Sequence, residues 1–358
     1  MSHAAPRRIL IVSDAWHPQV NGVVRTLATL AHELHRIGHI VEVIGPDRFR
    51  TIPCPTYPDI PFSVLPRRRL IRMIEEFEPD ALHIATEGPL GIAARNWARR
   101  RGFHFTTAFH TRFAEYIHAR LHLPPRLVYA WMRRFHDAGS GMMVAAPSLC
   151  DELAGRGFKN ILPWSRGVDS DLFRPEPGED WGLPRPVFIY VGRIAVEKNI
   201  PAFLDLELPG SKVVVGGGPQ LAALRSEYRE VHFTGPRHGE ELARAYAGAD
   251  VFVFPSLTDT FGLVMLESLA CGTPVAAYPV TGPRDVLKGV EGHIGAMNQD
   301  LRQAAIEALN ADRAAWRAHA ERYSWRACTE RFLSQLAPLR DGLGRRDGQP
   351  LFAKEANH

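Results

Sequence analysis

Short apolar runs alternate with longer polar or amphipathic stretches along the chain. The first run is "ILIVS" (9–13), a buried-strand pattern. A polar turn, "DAWHPQVNG", follows it. Val23, Leu27, Leu30, Leu34 and Ile37 then recur at three- and four-residue spacing up to Gly38. This spacing predicts a helix with one apolar face, closed by the glycine. "VEVIGP" (41–46) reads as the next strand, so the chain opens as strand–loop–helix–strand, the start of a parallel α/β sheet. "ALHIA" (81–85), "FTTAFH" (105–110) and "MMVAAP" (142–147) continue the series.

The plan then repeats. "VFIYVGR" (187–193) and "KVVVGGGP" (212–219) are strands ending in glycine, and "VHFTG", "VFVFPS" and "PVAAYP" follow. Between the halves, residues 164–186 are rich in Pro, Gly and acid and read as a linker. The expected architecture is α/β, with two Rossmann-like doubly wound domains facing a cleft. We expect a first domain over 1–165, a linker over 166–186, and a second domain over 187–340. The last helices of the second domain are candidates to pack back on the first, and 341–358 reads as a loose tail. Open α/β sheets bind ligands outside the carboxyl ends of their strands, so strand-end residues are the candidates for chemistry.

Composition narrows the class. The 358 residues are 45% hydrophobic and 23% charged, as in a soluble globular protein of two domains. Cys54, Cys150, Cys271 and Cys328 form no CxxC pair, so neither a disulfide framework nor a zinc site is suggested, and a reducing cytosol fits. The first apolar run is too short for a signal peptide, and no run approaches the ~20 residues that span a bilayer. The net charge of +4 is uneven: residues 1–165 carry 21 Lys+Arg against 14 Asp+Glu. A basic first half suits an anionic partner, or is a solvated surface with chance asymmetry.

Several strand ends carry candidate chemistry. Gly192, Arg193 and Lys198 follow the strand at 187–191; the two cations either clamp a diphosphate or are surface charges paired with Glu197. In "TDTFGLVMLESLACGTPV" (258–275), Phe261, Gly262 and Leu263 lie where a helix should start, and a helix N-terminus suits phosphate. Asp259 precedes that start and Glu267 lies inside it. Either the two acids hold sugar hydroxyls and a ribose diol, or Asp259 is an N-cap and Glu267 a polar position on an amphipathic helix. In the first half Gly22 sits at a strand–helix turn and His110 just after a strand. The stretches "PRRRLIRMIEEF" (66–77) and 112–136 mix basic and apolar residues. Arg67, Arg68, Arg69, Tyr129, Trp131, Arg133 and Arg134 are candidates for a membrane or acceptor face, the alternative being core helices with Arg-rich outer sides. No nucleic-acid recognition module is visible.

Together these residues resemble the retaining glycosyltransferases of the GT-B fold (family 4 type). The chain is most similar to the group holding sulfoquinovosyldiacylglycerol synthases, other diacylglycerol glycosyltransferases and GDP-mannose-dependent mannosyltransferases. The resemblance covers about residues 8–335. It rests on "PQVNGVVRTL", "PCPTYPDIPFSV", "FHTRF", "RGVDSDLFRP", "VGRIAVEKN", "FTG" and "DTFGLVMLESLACGTPV". It implies that Gly22 lets its loop approach the donor diphosphate and that His110 contacts the transferred sugar. Arg193 and Lys198 would neutralise the leaving diphosphate. The backbone at Phe261, Gly262 and Leu263 would bind phosphate and sugar, and Glu267 would hold the ribose. Asp259 stands where the family has a longer Glu. The implied mechanism is a front-face substitution without metal or other cofactor, in which the leaving phosphate takes the acceptor proton. It is unlike a glycosidase with two carboxylates at the scissile bond.

The expected function is hexose transfer from a nucleotide diphosphate sugar, a UDP-sugar, to a lipid acceptor, diacylglycerol. The enzyme is expected to sit peripherally on the anionic cytosolic face of the membrane, with no nucleic-acid partner. The rivals are a GDP-mannose-dependent transferase acting on another lipid or glycan and a non-catalytic nucleotide-sugar-binding protein. A NAD-dependent dehydrogenase is disfavoured, because "SDAWHPQVNG" and not G-x-G-x-x-G follows the first strand.

Overall fold

The computed structural model describes residues 5–19, 21–54, 57–259, 261–288, 290, 294–311, 319 and 323–340. The tail expected over 341–358 lies outside them. The chain divides into two compact units. Unit one takes the described residues up to Ala145, then Cys150–Trp164, and the described chain from Thr329; unit two takes Ala146–Leu149 and Ser165–Cys328.

In unit one, β1 (Arg8–Val12), α1 (Gly22–Arg36) and β2 (Ile40–Ile44) lead to a hairpin of β3 (Thr51–Cys54) and β4 (Tyr57–Ser63). Then come α2 (Arg67–Phe77), β5 (Ala81–Ile84), α3 (Pro89–Arg100), β6 (Thr106–Phe109), α4 (Phe113–Leu121), α5 (Pro125–His136), β7 (Gly141–Val144), α6 (Pro147–Gly155) and β8 (Ile161–Pro163). The six-stranded sheet has the order β2-β1-β5-β6-β7-β8 and every pairing is parallel. Leu10, Val12, Ile44, Leu82 and Ile84 pack against Leu70 and Ile74 of α2 and against Leu339 near the C-terminus. Asn21 caps α1, its side-chain oxygen accepting from the N–H groups of Val23 and Val24 at 3.0 Å each, a contact worth about 1 kcal/mol. The buried stripe of α1 runs through Val24, Leu27, Leu30 and Leu34. Val23 and Ile37 fall outside it, because Val23 precedes the inward face and Ile37 lies past the helix end, exposed.

In unit two, β9 (Val187–Val191), α7 (Pro201–Leu204), β10 (Ser211–Val215), α8 (Leu221–Glu227), β11 (His232–Gly235), α9 (Gly239–Ala247) and β12 (Val251–Phe254) follow in order. They are followed by α10 (Leu263–Ala270), β13 (Val275–Ala277), α11 (Thr281–Val286), β14 (Gly295–Met297) and α12 (Leu301–Ala308). A further helix, Trp325–Gln335, begins in unit two and continues into the segment that belongs to unit one. This sheet is also parallel throughout, with the order β11-β10-β9-β12-β13-β14. The segment expected as a linker packs along unit two: Phe173 is buried, Val168 N–H donates to the Tyr323 carbonyl at 2.7 Å, and Glu179 pairs with Arg237. Each unit thus has the layered parallel sheet of a Rossmann-like domain. Each reverses its strand order once on either side of its first strand, between β1 and β5 and between β9 and β12.

Candidate active site

At the strand-order reversal of unit two, the loops leaving β9 and β12 diverge, which is where a doubly wound sheet opens a crevice. The β9 loop carries Gly192, Arg193 and a 3-10 turn, Val196–Lys198. The β12 loop carries Asp259 and leads into α10. One ion pair joins the two: Lys198 Nζ donates to Asp259 Oδ1 at 2.5 Å, with the side chains 22% and 17% exposed. Asn199 also donates to the Pro255 carbonyl at 3.1 Å. Lys198 is therefore held across the reversal by Asp259 and not locally by Glu197, and Asp259 is not the helix cap. Its second oxygen, Oδ2, is buried and accepts no hydrogen bond from a described residue.

The cap of α10 is Gly262, at φ +86°, a left-handed conformation in which a Cβ would come within 2.6 Å of the Met265 methyl. Among the described residues no side chain caps this helix and its first turn holds no acid, so its first N–H groups and positive dipole end suit an anion. Phe261 buries its ring edge-on to Tyr323. Glu267, on the first turns of α10, is only 4% exposed. The Tyr246 hydroxyl of α9 donates to its Oε2 at 3.4 Å. The Cys271 thiol is pushed up by burial first and by the Glu267 charge second. Glu267 is thus a buried acid and not a polar position on an amphipathic helix, for α10 is buried over most of its length.

One residue that sequence reasoning passed over shapes this corner. Tyr190 of β9 is buried, and its hydroxyl donates to the Arg193 carbonyl at 2.9 Å, fixing the turn that carries Arg193. Burial, then Asp259 and Glu197, drive the phenol pKa well above its ordinary value, so it stays a donor. Gly192 is glycine for a packing reason, since a Cβ there would meet the Tyr190 oxygen at 2.9 Å. Nothing in a strand pattern marks a tyrosine as the floor of the loop that follows it.

In unit one the reversal lies between β1 and β5, and Asp14, also missed in the sequence, spans it. Its carboxylate accepts from Leu90 N–H at 2.8 Å, Gly91 N–H at 3.2 Å and the Thr86 hydroxyl at 2.9 Å. It therefore caps α3 from another strand. Enclosure outweighs these bonds and raises its pKa to about 6. Gly22 is the first residue of α1 and exposed, and a Cβ there would meet nothing within 4 Å. The fold itself does not require glycine at that position. His110 follows β6, half-buried, its ring 6.1 Å from that of Trp164. Nearby in sequence, Arg112 is committed to Glu152 at 3.0 and 2.6 Å. Buried His136 bridges Glu87 (3.0 Å) and Thr107 (2.9 Å).

The basic candidates separate. Arg67, Arg68 and Arg69 are exposed on the first turn of α2. Trp131, Arg133 and Arg134 are exposed on α5. Tyr129 does not belong with them. Its ring is buried and its hydroxyl donates to Glu115 at 2.6 Å, so it packs α5 onto α4 and offers no surface. Among the described residues no helix is long and apolar enough to cross a membrane.

Residues 185–311 match the model for "Glycosyl transferases group 1" and residues 20–172 that for "Glycosyltransferase Family 4". A GDP-mannose-dependent alpha-mannosyltransferase of Mycobacterium tuberculosis is 32% identical over 78% of this chain and 81% of its own. The alpha-monoglucosyldiacylglycerol synthase of Streptococcus pneumoniae is 28% identical over 85% and 78%. A solved sucrose-phosphate synthase from Thermosynechococcus elongatus superposes with a TM-score of 0.73 at 20% identity, covering 92% of this chain and 98% of that one.

Proposed function

Since the chain belongs to the group 1/family 4 glycosyltransferases of the GT-B fold and is a hexosyltransferase using a sugar-nucleotide donor, we propose that it moves the hexose to a lipid hydroxyl, that of diacylglycerol, with retention at the anomeric carbon. The observation that carries this reading is the corner of unit two where the Lys198–Asp259 pair, the glycine-capped start of α10 and buried Glu267 come together. A nucleoside diphosphate has the matching parts: a ribose diol for Glu267 and a diphosphate for the α10 amides, Arg193 and Lys198. Fixed cations and oriented N–H groups stabilise charge that develops on the departing diphosphate, which is the main demand of this reaction. The departing phosphate oxygen takes the acceptor proton, so the step asks for no resident metal and no protein base. Asp259 has one buried oxygen to spare for a sugar hydroxyl, and His110 and Gly22 keep the sugar and diphosphate roles that the resemblance implies.

The acceptor reading draws on the streptococcal diacylglycerol enzyme and on the exposed basic residues Arg67, Arg68, Arg69, Arg133 and Arg134 with Trp131, which suit peripheral docking on an anionic cytosolic membrane face. For the donor we favour a UDP-hexose. GDP-mannose is the second reading, favoured by the mycobacterial relative. The test offers purified protein a panel of UDP- and GDP-hexoses with diacylglycerol vesicles and looks for glycolipid. One donor should give product; binding without transfer or hydrolysis for every donor refutes the reading.

A further inference from the structure

We propose that the paired end of the β3–β4 hairpin, Thr51–Ile52 with Phe62–Ser63, and the turn after it at Val64–Leu65 form a wedge that inserts into an anionic lipid bilayer. The hairpin stands outside the six-stranded sheet as its own two-stranded ribbon. Ile52 and Phe62 face each other across it, and the ladder runs on through Val64, whose N–H donates to the Arg50 carbonyl at 2.9 Å. Strand alternation puts Phe62 and Val64 on one face and Ser63 on the other. The apolar residues are left in solvent: Ile52 and Phe62 are 53% and 43% exposed and Val64 is exposed with them, while Ser63 between them is buried. The next residue, Leu65, is 92% exposed at φ +47°. A bulky residue in the left-handed region with its side chain in solvent is unfavourable twice over, and such outliers cluster where function requires them.

The surroundings identify the partner. Arg50, Arg67, Arg68 and Arg72 flank the apolar residues and are exposed, and none forms an ion pair with a described residue. Arg69 lies over the Phe49 ring at 5.6 Å. Exposed apolar residues flanked by exposed guanidinium groups complement a surface with anionic headgroups over an apolar interior. The proposal deepens the lipid-acceptor reading and rests on it for its purpose, but not for its test.

The test is flotation with vesicles of phosphatidylglycerol and phosphatidylcholine, against phosphatidylcholine alone. Wild-type protein should bind the anionic vesicles, less so as salt rises. The Phe62→Ser/Leu65→Ser double variant should lose about tenfold or more in partitioning, and Arg67→Gln/Arg68→Gln should lose affinity and flatten the salt dependence. Thermal melting and donor binding establish that each variant is folded, and the arginine variant carries the test if the apolar one is not. Binding that is unchanged in a folded variant, or that ignores lipid charge, overturns the proposal. So does sedimentation showing that the apolar variant abolishes self-association while vesicle binding persists, which would make the wedge an interface between copies. Transfer to detergent-dispersed diacylglycerol separates the two claims: its absence with the predicted vesicle results sinks the acceptor reading and leaves the wedge standing.

Discussion

Replacing Lys198 with alanine removes one half of the ion pair that spans the strand-order reversal of unit two, and the two roles assigned to that lysine predict different consequences. As a structural group, Lys198 meets Asp259 at 2.5 Å with both side chains about four-fifths buried. Exposed pairs are worth about 0–1 kcal/mol and breaking a fully buried pair costs about 3–5 kcal/mol, so this one should couple by roughly 1–3 kcal/mol. Lys198→Ala and Asp259→Asn should each be destabilised, and the double variant should recover part of the loss because no charge is then left unpaired. As a catalytic group, Lys198 neutralises the departing diphosphate, and losing one such fixed charge lowers turnover roughly 100- to 1,000-fold. That loss should not recover in the double variant. The assay is a double-mutant cycle read twice, by urea unfolding and by transfer rate at saturating donor. A folded Lys198→Ala enzyme with near-normal turnover refutes the donor-site assignment, and zero coupling in the unfolding cycle refutes the ion pair.

Glu267→Gln should weaken donor binding about tenfold or more and erase the preference for a ribose over a 2′,3′-dideoxyribose donor, measured by calorimetry; a preference that survives would remove Glu267 from the ribose. Gly22→Ala should leave stability within about 0.5 kcal/mol, because a Cβ there meets nothing within 4 Å, while transfer falls. Full activity would show that no donor approaches that backbone. Asp14, with its pKa raised to about 6, takes up a proton on folding between its ordinary range and about pH 6. Its contribution to stability is therefore fully present at low pH and is lost as pH rises through about 6. In Asp14→Asn this part of the slope should vanish, a difference of about 3 kcal/mol across that window; parallel stability curves would contradict the shift.

The sheets were readable in the sequence because parallel strands buried on both faces are continuous apolar runs, such as "ILIVS" and "VFIYV". What escaped was short or interrupted. β8 and β14 are three-residue edge strands, "ILP" and "GAM", and the β3–β4 hairpin is broken up by Pro53, Pro58 and Pro61, so it reads as loop. The charged positions of the site were legible for a related reason, since cations and acids beside strand ends stand out from apolar runs. Their partners were not. Lys198 meets Asp259 from 61 residues away, Asp14 caps a helix 76 residues on, and Tyr190 looks like any core aromatic until the chain folds a carbonyl over it. Tyr129 was misplaced because a helix surrounded by arginines gives no sign in sequence of which aromatic turns inward.

The measurement that bears most directly on the account is a structure of the protein with an unreactive analogue of its donor sugar nucleotide. The account predicts the ribose diol on Glu267 and the diphosphate within hydrogen-bond reach of the Gly262–Leu263 amides and of Lys198 Nζ. A nucleotide bound elsewhere, or with its ribose away from Glu267, would contradict it.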